Sequence, residues 1–277
     1  MDKEFAPGYE KNDKGWWLFP KDVARRRRLF IPESMKHNAK ANVFMVEELI
    51  RYCSEPGDVV MDIFGGTGTI LVGLPMRRSV YAIEMNPDFA EVVGDNGAKI
   101  YSEIDHSTPY IVNDTPCQIA LPSIKPDTIQ AIITSPPYAG AFAAGSGVFR
   151  NASTKEQAYQ EQMQQYTDDS LRRGNMTSYN LATMSNFMFN KEMAKIYAMC
   201  YRVIKPGGYF ALIIKDRIKK GVREELGLAN LSLLVQAGFK VDRWERWLPP
   251  GTRFAQQARV KGMAWVDEEH LIIVKKE

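Results

Sequence analysis

Short apolar runs recur along the chain and predict the strands of a sheet. Seven of them are rich in Val, Ile, Phe or Tyr, and they lie at 58–64, 79–85, 110–114, 129–135, 209–216, 239–246 and 270–276. Stretches with apolar residues at helical spacing separate most of these runs, namely 43–54, 88–103, 190–204 and 224–237. Alternating strands and helices predict an α/β domain with a doubly wound, mostly parallel sheet.

Residues 139–189 do not follow this alternation. They begin with small residues, "AGAFAAGSG", and continue as a polar stretch. We expect an insertion after the strand at 129–135, either an ordinary surface excursion or a segment that covers and recognises a ligand, since α/β proteins bind ligands at the carboxyl ends of their strands. Residues 1–34 are polar, aromatic and basic and form an N-terminal extension, so the main domain spans 35–277.

Composition narrows the class of protein. The 277 residues are 45% hydrophobic and 25% charged, as in ordinary globular proteins, and the net charge of +3 permits a polyanionic partner without requiring one. The three cysteines and three histidines are widely spaced, which argues against a disulfide framework and a metal site. The polar N-terminus and the lack of a long apolar run predict a cytoplasmic protein without a membrane partner.

A glycine-rich loop follows the first predicted strand, in "MDIFGGTGTILVG" at 61–73. Glycines allow a tight turn and a close approach of the backbone to a ligand, and the helix that we expect next would point N–H groups at that ligand. The second strand ends at Glu84, where a carboxylate suits ribose hydroxyls, and the third ends at Asp114. The alternative is a turn that merely closes a βα unit. Because no Gly-Lys-Ser/Thr phosphate loop occurs, a nucleoside ligand is favoured over a triphosphate.

The segment "TSPPY", 134–138, ends the strand at 129–135 abruptly, because proline offers no N–H to a sheet. It predicts a rigid, extended segment that holds Ser135, a proline carbonyl and Tyr138 at the carboxyl end of the strand. The alternative is an ordinary Pro-Pro turn in a loop.

Together, "DIFGGTGT" and "TSPPY" resemble the cofactor loop and catalytic motif of S-adenosylmethionine-dependent DNA amino-methyltransferases. The resemblance covers roughly 35–138 and 190–276 and includes "KHNAKANVFMVEELIRYC" and "YRVIKPGGYFALIIKD". It implies the seven-stranded, Rossmann-like fold of class I methyltransferases, with S-adenosylmethionine as cofactor. It also implies a prokaryotic or phage-encoded enzyme of the restriction-modification type.

The resemblance assigns two sets of site residues. The cofactor set is His37, Lys40, Asp62, Phe64, Gly65, Gly66, Gly68, Thr69, Glu84 and Asp114. Within it, the glycine loop and the segment from His37 to Lys40 would contact the methionine part, Glu84 the ribose and Asp114 the adenine. The catalytic set is Ser135, Pro136, Pro137 and Tyr138.

The motif S-P-P-Y is associated in the family mainly with the N4 of cytosine, so this target is preferred and the N6 of adenine is the alternative. The implied partner is double-stranded DNA with its target base flipped out, and a homodimer is possible. Candidate DNA contacts are "ARRRRLF" at 24–30, the loop 248–262 and the insertion 139–189, although charged runs are usually just solvated.

Three rival functions remain. "PCQ" around Cys117 resembles the nucleophile motif of cytosine-C5 methyltransferases, but the Glu-Asn-Val segment of those enzymes is missing. An RNA or protein amide methyltransferase is the second rival, because related motifs serve those enzymes. A binding module without catalysis is the third, and the two intact motifs disfavour it.

Overall fold

The computed structural model describes residues 3–36, 40–139, 177–219, 221–251 and 260–277. Its main sheet has seven strands in the order β3-β2-β1-β4-β5-β9-β8. These strands are β1 Val59–Asp62, β2 Ser79–Ile83, β3 Tyr110–Asn113, β4 Ile129–Thr134, β5 Ile204–Ile214, β8 Lys240–Trp247 and β9 Glu269–Lys275. All seven predicted strands are therefore confirmed.

Strands β1 to β5 are parallel, whereas β9 runs antiparallel to both β5 and β8. The strand order reverses between β1 and β4, and ligands of open α/β sheets bind at such a switch point, outside the carboxyl ends of the strands. The glycine loop follows β1 and the Ser-Pro-Pro-Tyr segment follows β4. The topology thus brings the two motifs side by side.

Helices cover both faces of the sheet. In the described ranges they are α1 Val23–Leu29, α2 Val43–Cys53, α3 Pro87–Glu103, α4 Cys117–Ser123, α5 Asn186–Val203 and α6 Leu226–Gln236. One hydrophobic cluster holds residues of α2 and α3, and a second holds residues of α4, α5 and α6. Side-chain caps define several helix starts; Asn86, for example, accepts from the backbone N–H groups of Asp88 and Phe89 at the start of α3.

The N-terminal extension packs on the domain as part of one hydrophobic core. Phe5, Trp17 and Phe19 are buried in the same cluster as α2 and Trp247 of β8. The backbone N–H of Trp17 also donates to the carbonyl of Arg246 at 2.9 Å, so this segment covers part of the edge strand β8.

Four features differ from the sequence prediction. The helix expected after the glycine loop is a short 3-10 helix, Thr69–Gly73. Helices α1 and α4 were not predicted; each has only seven residues, too few for a clear periodicity. A hairpin of β6 Arg217–Lys219 and β7 Val222–Glu224 follows β5 directly.

Most of the predicted insertion, 140–176, lies outside the described residues. Helix α5 begins at Asn186, four positions before the predicted 190, because Ser185 caps it through the backbone N–H of Met188. No helix in the described ranges has the length and apolar character needed to cross a membrane.

Candidate active site

Left-handed backbone conformations shape the glycine loop. Gly66 has φ +54° and Gly68 has φ +85°, a region that glycine enters without the steric penalty other residues meet. The N–H of Gly65 donates to the carbonyl of Ile83 at 2.8 Å, and a Cβ at position 65 would lie 3.3 Å from that oxygen. The loop is therefore pressed against the carboxyl end of β2.

Glu84 stands at this junction, half-buried, one residue past β2. Its two carboxylate oxygens accept one backbone N–H each, from Gly66 at 2.7 Å and from Asn86 at 2.8 Å. Burial raises its pKa to about 7 against these hydrogen bonds, and the nearby Asp62 adds to the rise. A carboxylate oxygen has a second lone pair, so each oxygen can accept one further hydroxyl.

Asp62 joins the glycine loop to the strand that leads into the Ser-Pro-Pro-Tyr motif. The hydroxyl of Thr134 donates to Asp62 Oδ1 at 2.6 Å, and the backbone N–H of Phe64 donates to the same oxygen at 3.0 Å. Burial raises the pKa of Asp62 to about 6 in spite of both bonds. Thr134 immediately precedes Ser135, so this contact couples the two predicted motifs.

The Ser-Pro-Pro-Tyr segment leaves β4 with its serine facing solvent. Ser135 is exposed, whereas Pro136 is buried and Pro137 and Tyr138 are half-buried. The hydroxyl of Tyr138 accepts from the backbone N–H of Lys215 at 3.2 Å, which fixes the ring against the end of β5. Burial, more than the nearby Glu269, raises the pKa of this phenol, so it stays protonated.

The remaining predicted cofactor residues fall into different surroundings. Lys40 is half-buried, its Nζ donates to the carbonyl of Met35 at 3.3 Å, and burial lowers its pKa to about 8. The hydroxyl of Thr69 accepts from Arg26 Nη1 at 3.2 Å, so it secures the loop internally. Asp114 is exposed, one residue past β3. His37 lies outside the described residues.

Arg26 is buried inside the protein, although the segment "ARRRRLF" was predicted as a candidate contact for DNA phosphates. Its guanidinium is only 3% exposed and donates to Asp22 Oδ2 at 2.7 Å, to Thr69 and to the carbonyl of Ala41. For this arginine the phosphate hypothesis is wrong, because its donors are committed to acceptors inside the protein. Arg27 and Arg28 are exposed.

Two further side chains escaped the sequence analysis. Asn96 of α3, fully buried, donates to the carbonyl of Thr67 at 2.8 Å and accepts from the N–H of Ile31 at 2.8 Å, which ties the glycine loop to the N-terminal segment. Arg217 donates to the carbonyl of Ala139 at 2.7 Å and to Asn186 Oδ1 at 3.3 Å. In the sequence, the signal that could have pointed to Asn96 was an amide on the apolar face of a predicted helix.

Cys117 does not have the surroundings of a nucleophile. The thiol is buried in the cluster that holds α4 and α5, and burial raises its pKa to about 12. An attacking cysteine needs an accessible thiolate. This finding argues against cytosine-C5 chemistry.

The donors and acceptors at this edge of the sheet fit S-adenosylmethionine. Glu84 retains one acceptor site on each oxygen, which suits two ribose hydroxyls, and Gly65, Gly66 and Gly68 bring the backbone close to the strand ends with no side chains of their own. The carboxyl ends of β2 and β3 are joined as well, because the N–H of Glu84 donates to the carbonyl of Asn113 at 3.0 Å. Among the described residues, no cluster of side chains suits a metal ion.

Comparison with known proteins identifies a family model that matches part of the chain. Residues 5–94 match the family model described as DNA methylase. This similarity spans about a third of the chain. The predicted resemblance is thereby confirmed, and the match takes in the glycine loop and Glu84 but ends before the Ser-Pro-Pro-Tyr motif. The protein is a methyltransferase, and its cofactor is S-adenosylmethionine.

Solved structures share the fold of this methyltransferase at low sequence identity. Precorrin 8w decarboxylase from Methanobacterium thermoautotrophicum has a TM-score of 0.51 and 16% identity, over 93% of this chain and 99% of that one. Geranyl diphosphate methyltransferase, solved with GPP and sinefungin, has a TM-score of 0.51 and 10% identity, over 85% and 79% of the two chains. These likenesses show the class I methyltransferase fold alone. No curated protein matches the sequence.

Proposed function

We propose that the protein transfers a methyl group from S-adenosylmethionine to an exocyclic amino group of a DNA base, with the N4 of cytosine preferred and the N6 of adenine as the alternative. The observation that carries this proposal is the 2.6 Å hydrogen bond between Thr134 and Asp62, because it sets the exposed Ser135 beside the cofactor loop.

The chemistry requires an amino nitrogen with an available lone pair. That lone pair is delocalised into the ring, and acceptors that bind the two amino hydrogens favour a more tetrahedral nitrogen. The Ser135 hydroxyl oxygen and the Pro136 carbonyl serve as these acceptors, and the two prolines hold them rigidly. The cofactor supplies an electrophilic methyl group for direct displacement, so positioning carries most of the catalysis.

Tyr138 holds the flipped base by stacking in this proposal. Its hydroxyl bond to the backbone of Lys215 supports that role, because it fixes the plane of the ring before any base arrives. A preformed stacking surface lowers the entropy lost on binding. The buried Cys117 takes no part in the reaction.

The test is to incubate the protein with labelled S-adenosylmethionine and mixed-sequence DNA, digest the DNA to nucleosides and identify the methylated one by mass. N4-methylcytosine is expected. N6-methyladenine would select the alternative target, and 5-methylcytosine or the absence of label in DNA would refute the proposal. Parallel reactions with RNA and protein test the rival substrates.

A further inference from the structure

A cleft of about 320 Å³ lies beside the edge strand β8, away from the cofactor loop. Its lining consists of Lys14, Gly15, Trp16, Trp244, Glu245 and Arg246. One wall is a turn of the N-terminal extension and the other is the exposed side of β8. The cleft combines two indoles with two cations, and neither the fold nor the proposed chemistry accounts for that combination.

The N-terminal wall is a preformed turn. Asn12 Oδ1 accepts from the backbone N–H groups of Lys14 and Trp16, both at 3.0 Å, and Gly15 has φ +74°. The Nζ of Lys14 lies 4.6 Å from the centre of the Trp16 ring. The turn therefore presents an indole and a positive charge together.

The opposite wall is equally fixed. Trp244 is 40% exposed, yet its Nε1 donates to His270 Nδ1 at 3.1 Å, so the ring is held in place with part of its surface open. An exposed aromatic ring that is locked by a hydrogen bond is suited to stacking.

The charge of the cleft is positive. Glu245 is already engaged by Lys11 at 2.9 Å, by the indole N–H of Trp17 at 3.1 Å and by Arg243 at 3.3 Å. The side chain of Arg246 has no hydrogen bond or ion pair with any residue that the structure describes, and Lys14 contacts only the Trp16 ring there. Two cations are thus available to an anionic ligand.

The register of the sheet relates this cleft to the active site. Trp244 pairs with Ile272, Ile272 with Leu212, and Leu212 with Thr134, the residue before Ser135. Three strand spacings separate them, or about 14 Å.

We propose that this cleft binds one unpaired nucleotide of the DNA strand that carries the target base. The base stacks on Trp16 and Trp244, and Lys14 and Arg246 contact its phosphates. The inference rests on the proposed function and adds to it that the enzyme engages single-stranded or locally opened DNA. A duplex base pair offers no free ring face to such a cleft.

The test measures binding of a labelled 12-nucleotide DNA strand by fluorescence anisotropy at several salt concentrations. Trp16→Ala is expected to weaken binding at least about fivefold, which is the lower bound for losing one stacked base, whereas Trp16→Phe stays close to wild type. Lys14→Ala with Arg246→Ala should reduce the slope of log K against log salt by about 1.4. Lys240→Ala, at the other end of β8, is the matched control and should change nothing.

Thermal unfolding and S-adenosylmethionine affinity are measured for every variant, and the double charge variant carries the test if Trp16→Ala is unstable. Unchanged strand affinity and salt slope in these variants would overturn the inference, as would equal effects on a free mononucleotide, which would assign the cleft to that ligand. Methyl transfer by the wild type is followed in parallel. If the wild type transfers methyl groups and the variants bind the strand normally, only the role of the cleft is refuted. If the variants lose strand binding but the wild type transfers no methyl group, only the proposed function is refuted.

Discussion

At the scale of single residues, Ser135 and Tyr138 differ in how they are held, and this difference sets the first prediction. Ser135 is exposed, whereas the hydroxyl of Tyr138 is bonded to the backbone of Lys215, one residue past β5. Ser135→Ala and Tyr138→Ala should each reduce methyl transfer at least about a hundredfold, as with other lost transition-state contacts, and leave cofactor affinity within a few-fold. Single-turnover transfer and calorimetric titration with S-adenosylmethionine measure the two effects.

Cys117→Ser is the control for these variants and should keep most of the activity, because the buried thiol contacts no reacting atom in the proposal. An equal loss of rate and cofactor affinity in Ser135→Ala would contradict the assignment of Ser135 to the base. An inactive, folded Cys117→Ser would return C5 chemistry to consideration.

Glu84 predicts a pH dependence of cofactor binding. Its pKa is raised to about 7, and only the ionised carboxylate accepts from two hydroxyls through both oxygens. Affinity for S-adenosylmethionine should therefore weaken as the pH falls from 8 to 6. Titrations across this range measure it, and Glu84→Gln should bind weakly with little pH dependence. A wild type and a Glu84→Gln variant with the same pH profile would remove Glu84 from the ribose site.

At the scale of elements, strands were the predictable part. Runs such as 209–214 are continuous and apolar because both faces of this sheet are covered by helices, and that pattern is visible in the sequence. Short elements were not predictable in this way. The four arginines of 25–28 look like a solvated charge run, and the burial of Arg26 depends on acceptors at Ala41 and Thr69, distant positions that only the fold brings together.

The same distinction between local patterns and long-range contacts applies to the candidate site. The glycine loop, Glu84 and the Ser-Pro-Pro-Tyr motif are contiguous in sequence and were found there. The bond from Thr134 to Asp62 and the bonds from Arg217 to Ala139 and Asn186 join positions more than 30 residues apart, so local patterns carried no trace of them.

The hairpin β6–β7 predicts that Arg217 positions the catalytic segment. Its guanidinium donates to the carbonyl of Ala139, one residue after Tyr138, and pairs with Glu224 at 2.5 Å. Arg217→Ala should lower kcat about tenfold or more, because small misplacements of reacting groups are costly, with the affinity for S-adenosylmethionine unchanged. Steady-state kinetics with DNA and cofactor titrations measure both.

Lys219→Ala is the matched control, since it removes a cation from the same hairpin that pairs with the same Glu224 but leaves Ala139 bound. Arg217→Lys should restore part of kcat, because an ammonium can still donate to the Ala139 carbonyl. If Lys219→Ala were as slow as Arg217→Ala, charge rather than position would explain the effect.

At the scale of the whole molecule, Asp62 links the active site to stability. Its pKa rises from 3.8 to about 6 on folding, so the folded protein keeps this proton at pH values where the unfolded chain has lost it. The stability that this raised pKa contributes is fully present below 3.8, the pKa in the unfolded chain, and is lost as the pH rises through about 6. Asp62→Asn should therefore gain stability relative to wild type between pH 4 and 7, by about 1–3 kcal/mol.

Denaturant unfolding without cofactor, at intervals across this pH range, measures the difference. Asparagine keeps an oxygen that can accept from Thr134 and Phe64, so the hydrogen bonds of Oδ1 are retained. A difference in unfolding free energy that stays constant with pH would show that Asp62 has the same pKa in the folded and unfolded states.

The two contacts of Arg217 also bear on how such enzymes diversify. The carbonyl of Ala139 and the side chain of Asn186 meet at one guanidinium, so two positions that are distant in the chain are held at the same place. When the two ends of a segment are already together, doubling its length adds only about 0.6 kcal/mol of closure entropy. Insertions between these two positions should therefore cost little closure entropy while the sheet and its strand ends stay as they are.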